Sequence, residues 1–255
     1  MDNKERAAVN LIHGDCLDAL RNLPPDAIDG LIIDPPYSSG GTFSTQRKAT
    51  TANKYCETGS ARHSNMPSFS GDNMDMRSFT NFLREVLLAA RNKTVDGGTC
   101  CVFIDFRNLP AVADAMQMAG WTWRGVAVWD KGNSRPQKGR FRNRCEYIVW
   151  GSNGAMPYER SVPYLDGLFA YSNVAALKAQ HQTEKPVALM ERIVEIVPEG
   201  GTVCDCFMGS GSTGVAALNM GRKFIGVESL DHYFDVAKRR ILSANETKED
   251  NENDN

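Results

Sequence analysis

Two short runs in this chain have residue types and spacing suited to chemistry. The first is Asp34-Pro35-Pro36-Tyr37, which directly follows the apolar stretch from Ile28 to Ile33. A strand over that stretch places the four residues at its carboxyl end, where open α/β folds bind their ligands. Pro35 and Pro36 lack an N–H and have a fixed φ, so the Pro35 carbonyl is held outward without a helical partner. With the Asp34 carboxylate it makes a pair of fixed acceptors for one planar NH2 group. Such a pair suits methylation of an exocyclic amine, whose lone pair is delocalised into its ring and is a weak nucleophile until both N–H bonds are held. The protein's part would be positioning and electrostatics, with no covalent catalysis. Tyr37 offers a flat face on which a base taken out of a duplex stacks. A rigid turn with an aspartate cap would use the same four residues, so the motif alone leaves both readings open.

The second run, Gly209-Ser210-Gly211-Ser212-Thr213-Gly214, matches G-x-G-x-x-G, and Glu228 ends the next apolar stretch. Glycines let backbone N–H groups approach a ligand, and an acid at that strand end accepts from both hydroxyls of a ribose. No Gly-Lys-Ser or Gly-Lys-Thr follows, which excludes a phosphate-cradling P-loop. A nicotinamide dinucleotide and S-adenosyl-methionine both fit what remains, as does a plain tight turn that packs a helix closely against a strand.

The elements that must position these runs alternate along the chain. Strands are expected near Val9 to His13, Ile28 to Ile33, Thr99 to Asp105, Trp123 to Trp129, Glu146 to Trp150, Thr202 to Phe207 and Lys223 to Val227. Helical spacing covers Cys16 to Asn22, the region of Phe79 to Leu88, Leu109 to Met118, Pro186 to Val197, Ser212 to Met220 and Asp231 to Leu242. Asp96-Gly97-Gly98 reads as a turn and Gly151 to Gln180 as irregular. The rhythm implies a doubly wound α/β fold with a mostly parallel sheet covered on both faces.

A length of 255 residues with 42% hydrophobic content suits one α/β domain. Without a long uncharged apolar run or an apolar leader, the chain reads as soluble and cytoplasmic. The seven cysteines show no paired Cys-x-x-Cys spacing and the four histidines no helical pair, so no metal is assigned and a reducing compartment is expected. The net charge of -2 excludes a uniformly basic nucleic-acid binder but hides an uneven distribution. Between Trp121 and Arg160, eight basic residues face the acids Asp130, Glu146 and Glu159, whereas the segment after Ala244 is acidic and reads as a disordered tail.

Taken in order, these runs resemble the amino-methylating DNA methyltransferases, in particular the circularly permuted β group, in which the catalytic motif precedes the cofactor motif. His13-Gly14-Asp15-Cys16 is similar to the segment that contacts the cofactor adenine, and Asp34 to Tyr37 to the catalytic motif. His181-Gln182-Thr183-Glu184-Lys185-Pro186 resembles the element leading into a helix beside the methionine part, and Asp205-Cys206-Phe207-Met208-Gly209-Ser210-Gly211-Ser212 its glycine-rich partner. Phe224 to Glu228 and the Tyr233, Ala237, Arg239 pattern continue the likeness.

The resemblance implies a methyltransferase-type fold with S-adenosyl-methionine as cofactor and Asp34, Pro35, Pro36 and Tyr37 as the catalytic group. It implies a cofactor shell of Asp15, Cys16, Asp34, Thr183, Lys185, Asp205, Phe207, Gly209, Ser210, Gly211, Ser212 and Glu228. Asp15 is also a plausible cap for the helix at Leu17, and Thr183 to Pro186 a plausible helix start. An aspartate in first place resembles adenine-N6 enzymes more often than cytosine-N4 enzymes, so the expected activity is transfer to adenine N6 in double-stranded DNA after base flipping. Cytosine N4 is the near alternative, and a nicotinamide-dependent oxidoreductase the distant one.

The expected organisation is a single methyltransferase domain over 1–243, with a polar insertion at 38–72, a short target-recognition segment at 131–180 and a tail at 244–255. Within 131–180, Lys138, Arg140, Phe141, Arg142 and Arg144 are candidates to meet DNA, the cations on phosphates and Phe141 by stacking; a solvated hairpin face is the plain alternative. Similar enzymes often dimerise, which makes a homodimer an expectation by analogy.

Overall fold

In a computed structural model, residues 9–37, 74–132, 136, 138–157, 161–172 and 184–253 are described. The insertion at 38–72 lies outside them. The elements are β1 (Val9–His13), α1 (Cys16–Asn22), β2 (Ile28–Ile33), α2 (Met76–Arg91), β3 (Thr94–Ile104), α3 (Leu109–Met118), β4 (Thr122–Asp130), β5 (Cys145–Ser152), β6 (Leu168–Ala170), α4 (Val187–Val194), β7 (Thr202–Asp205), α5 (Ser212–Asn219), β8 (Lys223–Glu228) and α6 (Asp231–Asn253). They form one 8-stranded sheet in the order β1-β8-β7-β2-β3-β5-β4-β6. β5 is antiparallel to both of its neighbours, and every other pairing is parallel.

Period-2 alternation along the central strands feeds two cores. Leu31, Ile33, Cys100, Val102, Ile104 and Cys204 face one side, with α1, α2 and α3. Ile32, Cys101, Phe103 and Val203 face the other, with α4, α5 and α6. Strands buried on both faces read as continuous apolar runs, as these do. α2 shows the local logic: Asp75 caps it by accepting from the Arg77 and Ser78 amides, and Phe79, Leu83, Val86, Leu87 and Ala90 bury one stripe. Among the described residues no helix is long and apolar enough to cross a membrane.

The larger departures from expectation lie at β3, β6, α4 and α6. The Asp96-Gly97-Gly98 turn is absorbed into β3, which starts at Thr94; the register to β2 slips between Ile28↔Thr94 and Gly30↔Thr99, a bulge that Gly97 permits at φ 74°. Its amide donates to the Asn153 carbonyl at 2.7 Å. β6 lies inside the stretch read as irregular; at 3 residues, with Phe169 alone buried, it is too short to show a period. α4 ends at Val194, and Pro186 is its N-cap at φ -61° instead of its first helical residue. The tail expected to lack structure continues α6 to Asn253, in keeping with the high helix propensity of Glu and Lys.

Candidate active site

Chain connections leave β2 toward β3 on one side and β7 toward β8 on the other, while β2 and β7 are neighbours. Their carboxyl ends therefore flank a topological switch point, the place where doubly wound folds open a crevice. Asp34 follows β2 and Asp205 ends β7, so the two candidate runs meet there.

On the β2 side, Lys185 from the segment before α4 reaches Asp34, with Nζ 2.5 Å from Oδ2. The same ammonium lies 3.4 Å from Glu146 Oε2 and 3.3 Å from the Tyr37 hydroxyl oxygen. Tyr37 donates its hydroxyl to Glu146 Oε2 at 3.0 Å, and Lys131 donates to Oε1 at 3.1 Å. Glu146 stands at the start of β5, and because β5 runs backwards this start lies at the carboxyl edge of the parallel strands. Around Lys185 Nζ the rings of Phe103, Tyr37 and Trp129 have centroids at 5.2, 5.4 and 5.9 Å, a cation–π lining for a buried cation. The Asn108 side-chain amide donates to the Tyr37 carbonyl and fixes the end of the Asp34 to Tyr37 turn. Asp34 Oδ1 is shielded from solvent and has no hydrogen-bond partner among the described residues.

Burial works against the Lys185 ammonium, but the Asp34 and Glu146 carboxylates outweigh it and hold the pKa above the ordinary lysine value. Burial also opposes ionisation of Glu146, which Lys185 and Lys131 overcome, so its pKa is lowered. For Asp34, burial pushes the pKa up, Lys185 pulls it down and Glu146 pushes it up again; the carboxylate is more basic than an ordinary aspartate. Burial and then the two carboxylates raise the Tyr37 phenol, which keeps it a proton donor.

On the β7 side the turn is held from within. Asp205 accepts from the Phe207 amide at 3.0 Å and from the Thr213 hydroxyl at 2.6 Å, and burial pushes its carboxyl up to about 7. Gly211 sits at φ 85° with its Cα against α6; an added Cβ would lie 3.1 Å from the Ala237 Cα. Glu228 accepts from the amides of Gly209, Ser229 and Leu230 at 2.9 to 3.0 Å, which aims its carboxylate over the glycine-rich turn. Ser210 is buried and its carbonyl accepts from Arg240. Asp15 caps α1 through the Leu17 and Asp18 amides, and Cys16 is buried in the core with its thiol pushed up to about 12.

The structure thus brings Asp15, Cys16, Asp34, Pro35, Pro36, Tyr37, Lys185, Asp205, Phe207, Gly209, Ser210, Gly211, Ser212 and Glu228 to neighbouring strand ends. Thr183 lies outside the described residues. Lys185 differs from expectation in the company it keeps, since its ammonium is held by Asp34, Glu146 and Tyr37. The sequence reading missed Glu146, Lys131 and Asn108. The donors and acceptors fit S-adenosyl-methionine: Ser212 Oγ, buried at the head of α5, lacks a partner within the described protein, and Glu228 lines the β8 end.

The segment between β4 and β5 projects from this same edge. Lys138, Arg140, Phe141 and Arg142 are exposed on it, Phe141 completely. Arg144 is different: its guanidinium binds Asp130, with Nε 2.6 Å from Oδ1, and closes the base of the segment.

Residues 28–239 match the DNA methylase model of the N6/N4 methyltransferases, and the chain belongs to that family. It is an S-adenosyl-methionine-dependent DNA methyltransferase, and the nicotinamide reading of its glycine-rich turn is set aside. The chain is 27% identical to the type II methyltransferase M2.DpnII of Streptococcus pneumoniae, covering 93% of this chain and 91% of that protein. It is 28% identical to M2.LlaDCHI of Lactococcus lactis subsp. cremoris, with 93% and 90% covered. Among solved structures, the complex of M1.HpyAVI with S-adenosyl-methionine superposes with a TM-score of 0.66 at 25% identity, covering 91% of this chain and 98% of that one. The cytosine-N4-specific PvuII DNA methyltransferase shares the fold at a TM-score of 0.67 and 18% identity, with 96% and 95% covered.

Proposed function

We propose that this cytoplasmic enzyme methylates the exocyclic N6 of adenine in duplex DNA, with the target base turned out of the helix into the crevice between β2 and β7. The observation that carries methylation of an amine is Asp34 Oδ1, an acceptor shielded from water and without a hydrogen-bond partner among the described residues, on a carboxylate whose other oxygen is fixed by Lys185; the aspartate in first place of the motif favours adenine. A flipped base would give one N–H to Oδ1 and the other to the Pro35 carbonyl, localising the lone pair on nitrogen. Tyr37, held at its hydroxyl by Glu146 and at its carbonyl by Asn108, would present its ring to the base.

S-adenosyl-methionine, when bound, supplies the activated methyl group. Asp15 and the Cys16 amide would hold its adenine, Glu228 its ribose hydroxyls, and the Phe207 to Ser212 turn with Thr183 and Lys185 its methionine end. Lys138, Arg140 and Arg142 would meet phosphates and Phe141 would stack, within a short recognition segment over 131–180.

The test is to incubate the protein with unmethylated duplex DNA and isotopically labelled S-adenosyl-methionine, digest to nucleosides, and identify the product by mass spectrometry. Labelled N6-methyladenine is the expected outcome. Labelled N4-methylcytosine would overturn the target, because cytosine presents a similar amine beside a ring nitrogen.

A further inference from the structure

The buried cation at this site stands between two carboxylates. Lys185 Nζ contacts Asp34 Oδ2 at 2.5 Å and Glu146 Oε2 at 3.4 Å, and the far oxygen of Glu146 is bound by Lys131 at 3.1 Å. The charged groups in line are therefore Asp34 after β2, Lys185 before α4, Glu146 on β5 and Lys131 after β4, with the Tyr37 phenol donating to Glu146 and Asp34 in turn adding a weaker repulsion to Asp205 on β7. Lys185 and Glu146 are both well shielded, at 7% and 15% side-chain exposure, so their charges act with little screening by solvent.

We propose that Glu146 is a positioning residue for methyl transfer: it shares the Lys185 ammonium with Asp34, so that Asp34 keeps the acceptor strength needed to hold the target amine, and it fixes the Tyr37 hydroxyl with the same carboxylate. An ammonium with Asp34 as its sole counter-ion would neutralise that carboxylate and weaken the hydrogen bond it accepts from an amine. Drawn also toward Glu146, the ammonium orients Oδ2 and leaves Oδ1 electron-rich. Lys131 sets the balance from the other side by partly neutralising Glu146. The proposal rests on the reading that Asp34 accepts from the amine of the flipped base.

The experiment is a 13C NMR titration of the Asp34 carboxyl in the free protein, paired with single-turnover methyl transfer and the S-adenosyl-methionine Kd. Glu146→Gln keeps an acceptor for the Tyr37 hydroxyl and removes the charge. It is expected to lower the Asp34 midpoint by about one pH unit and the transfer rate about tenfold, with Kd within about twofold. Lys131→Met works in the opposite sense, freeing Glu146 to draw Lys185 away, and is expected to raise the Asp34 midpoint. It keeps the question answerable if Glu146→Gln fails to fold. An Asp34 midpoint unmoved by the folded variant, or a full transfer rate in Glu146→Gln, would overturn the proposal. The titration needs neither cofactor nor DNA, so it reads the coupling even if the methylated base proves not to be adenine.

Discussion

Lys185 Nζ lies 2.5 Å from Asp34 Oδ2, a contact between residues 151 positions apart that ties the segment before α4 to the end of β2. Glu146 stands on the other side of the same ammonium. Lys185→Met would leave the shielded Asp34 carboxylate without a cation and Glu146 with Lys131 alone, and removing one partner of such a set costs about 3–5 kcal/mol. The loss should be largest near pH 8 and smaller near pH 5, where the orphaned carboxyls take up protons. Urea unfolding at the two pH values checks this; an equal loss at both would mean the ammonium is not what the carboxylates need.

Asp205 gives a stability profile with a defined sign. Its carboxyl is pushed from 3.8 to about 7 by burial, so between those values the folded protein holds a proton that the unfolded chain has lost. Stability from this group is greatest below about pH 4 and declines as pH rises toward 7, by an upper limit of roughly 4 kcal/mol. Asp205→Asn keeps an acceptor for the Phe207 amide and should flatten that decline, measured as urea midpoints from pH 4 to 8. A wild-type slope retained in the variant would assign it to other groups.

Gly211 holds the turn in a left-handed conformation against α6. Gly211→Ala combines a disfavoured φ with a Cβ placed 3.1 Å from the Ala237 Cα, so a loss of about 1–3 kcal/mol is expected. Because the same turn would face the methionine end of the cofactor, S-adenosyl-methionine affinity by calorimetry should fall with it. Unchanged stability and affinity would show that the turn tolerates a side chain.

The segment between β4 and β5 carries Lys138, Arg140 and Arg142 exposed to solvent and the half-buried Arg144 at its base. Lys138→Ala, Arg140→Ala and Arg142→Ala together should weaken DNA binding and reduce the salt slope of log K by about 2–3, near 0.9 for each phosphate that is no longer neutralised. Arg144→Ala should instead loosen the segment, because its guanidinium is bound to Asp130. Fluorescence anisotropy at graded salt separates them; an unaltered slope in the triple variant would remove the assignment.

The strand ends at Asp34 and Asp205 are legible in the sequence because local covalent features enforce them: two prolines lock one turn, and glycines permit the other. Most helices and strands are legible for the same reason, their apolar periods being local. Glu146 is not, since its place at the site depends on β5 running against its neighbours and on pairing with Tyr37, 109 positions away. In sequence it is one acid at the head of an apolar run. Lys185 carried a motif signal, but its ion-pair partners emerge from tertiary packing alone. β6 escaped notice because its Phe169 is buried between two exposed residues in a strand of 3 residues, too short to show a period.

The most direct test compares the wild type with Asp34→Ala on unmethylated duplex DNA with labelled S-adenosyl-methionine, reading labelled nucleosides by mass spectrometry and cofactor binding separately by calorimetry. The expected outcome is labelled N6-methyladenine from the wild type and, at saturating S-adenosyl-methionine, a loss of at least about a hundredfold in the variant. Full transfer by Asp34→Ala, or label on cytosine N4 in the wild type, would contradict it.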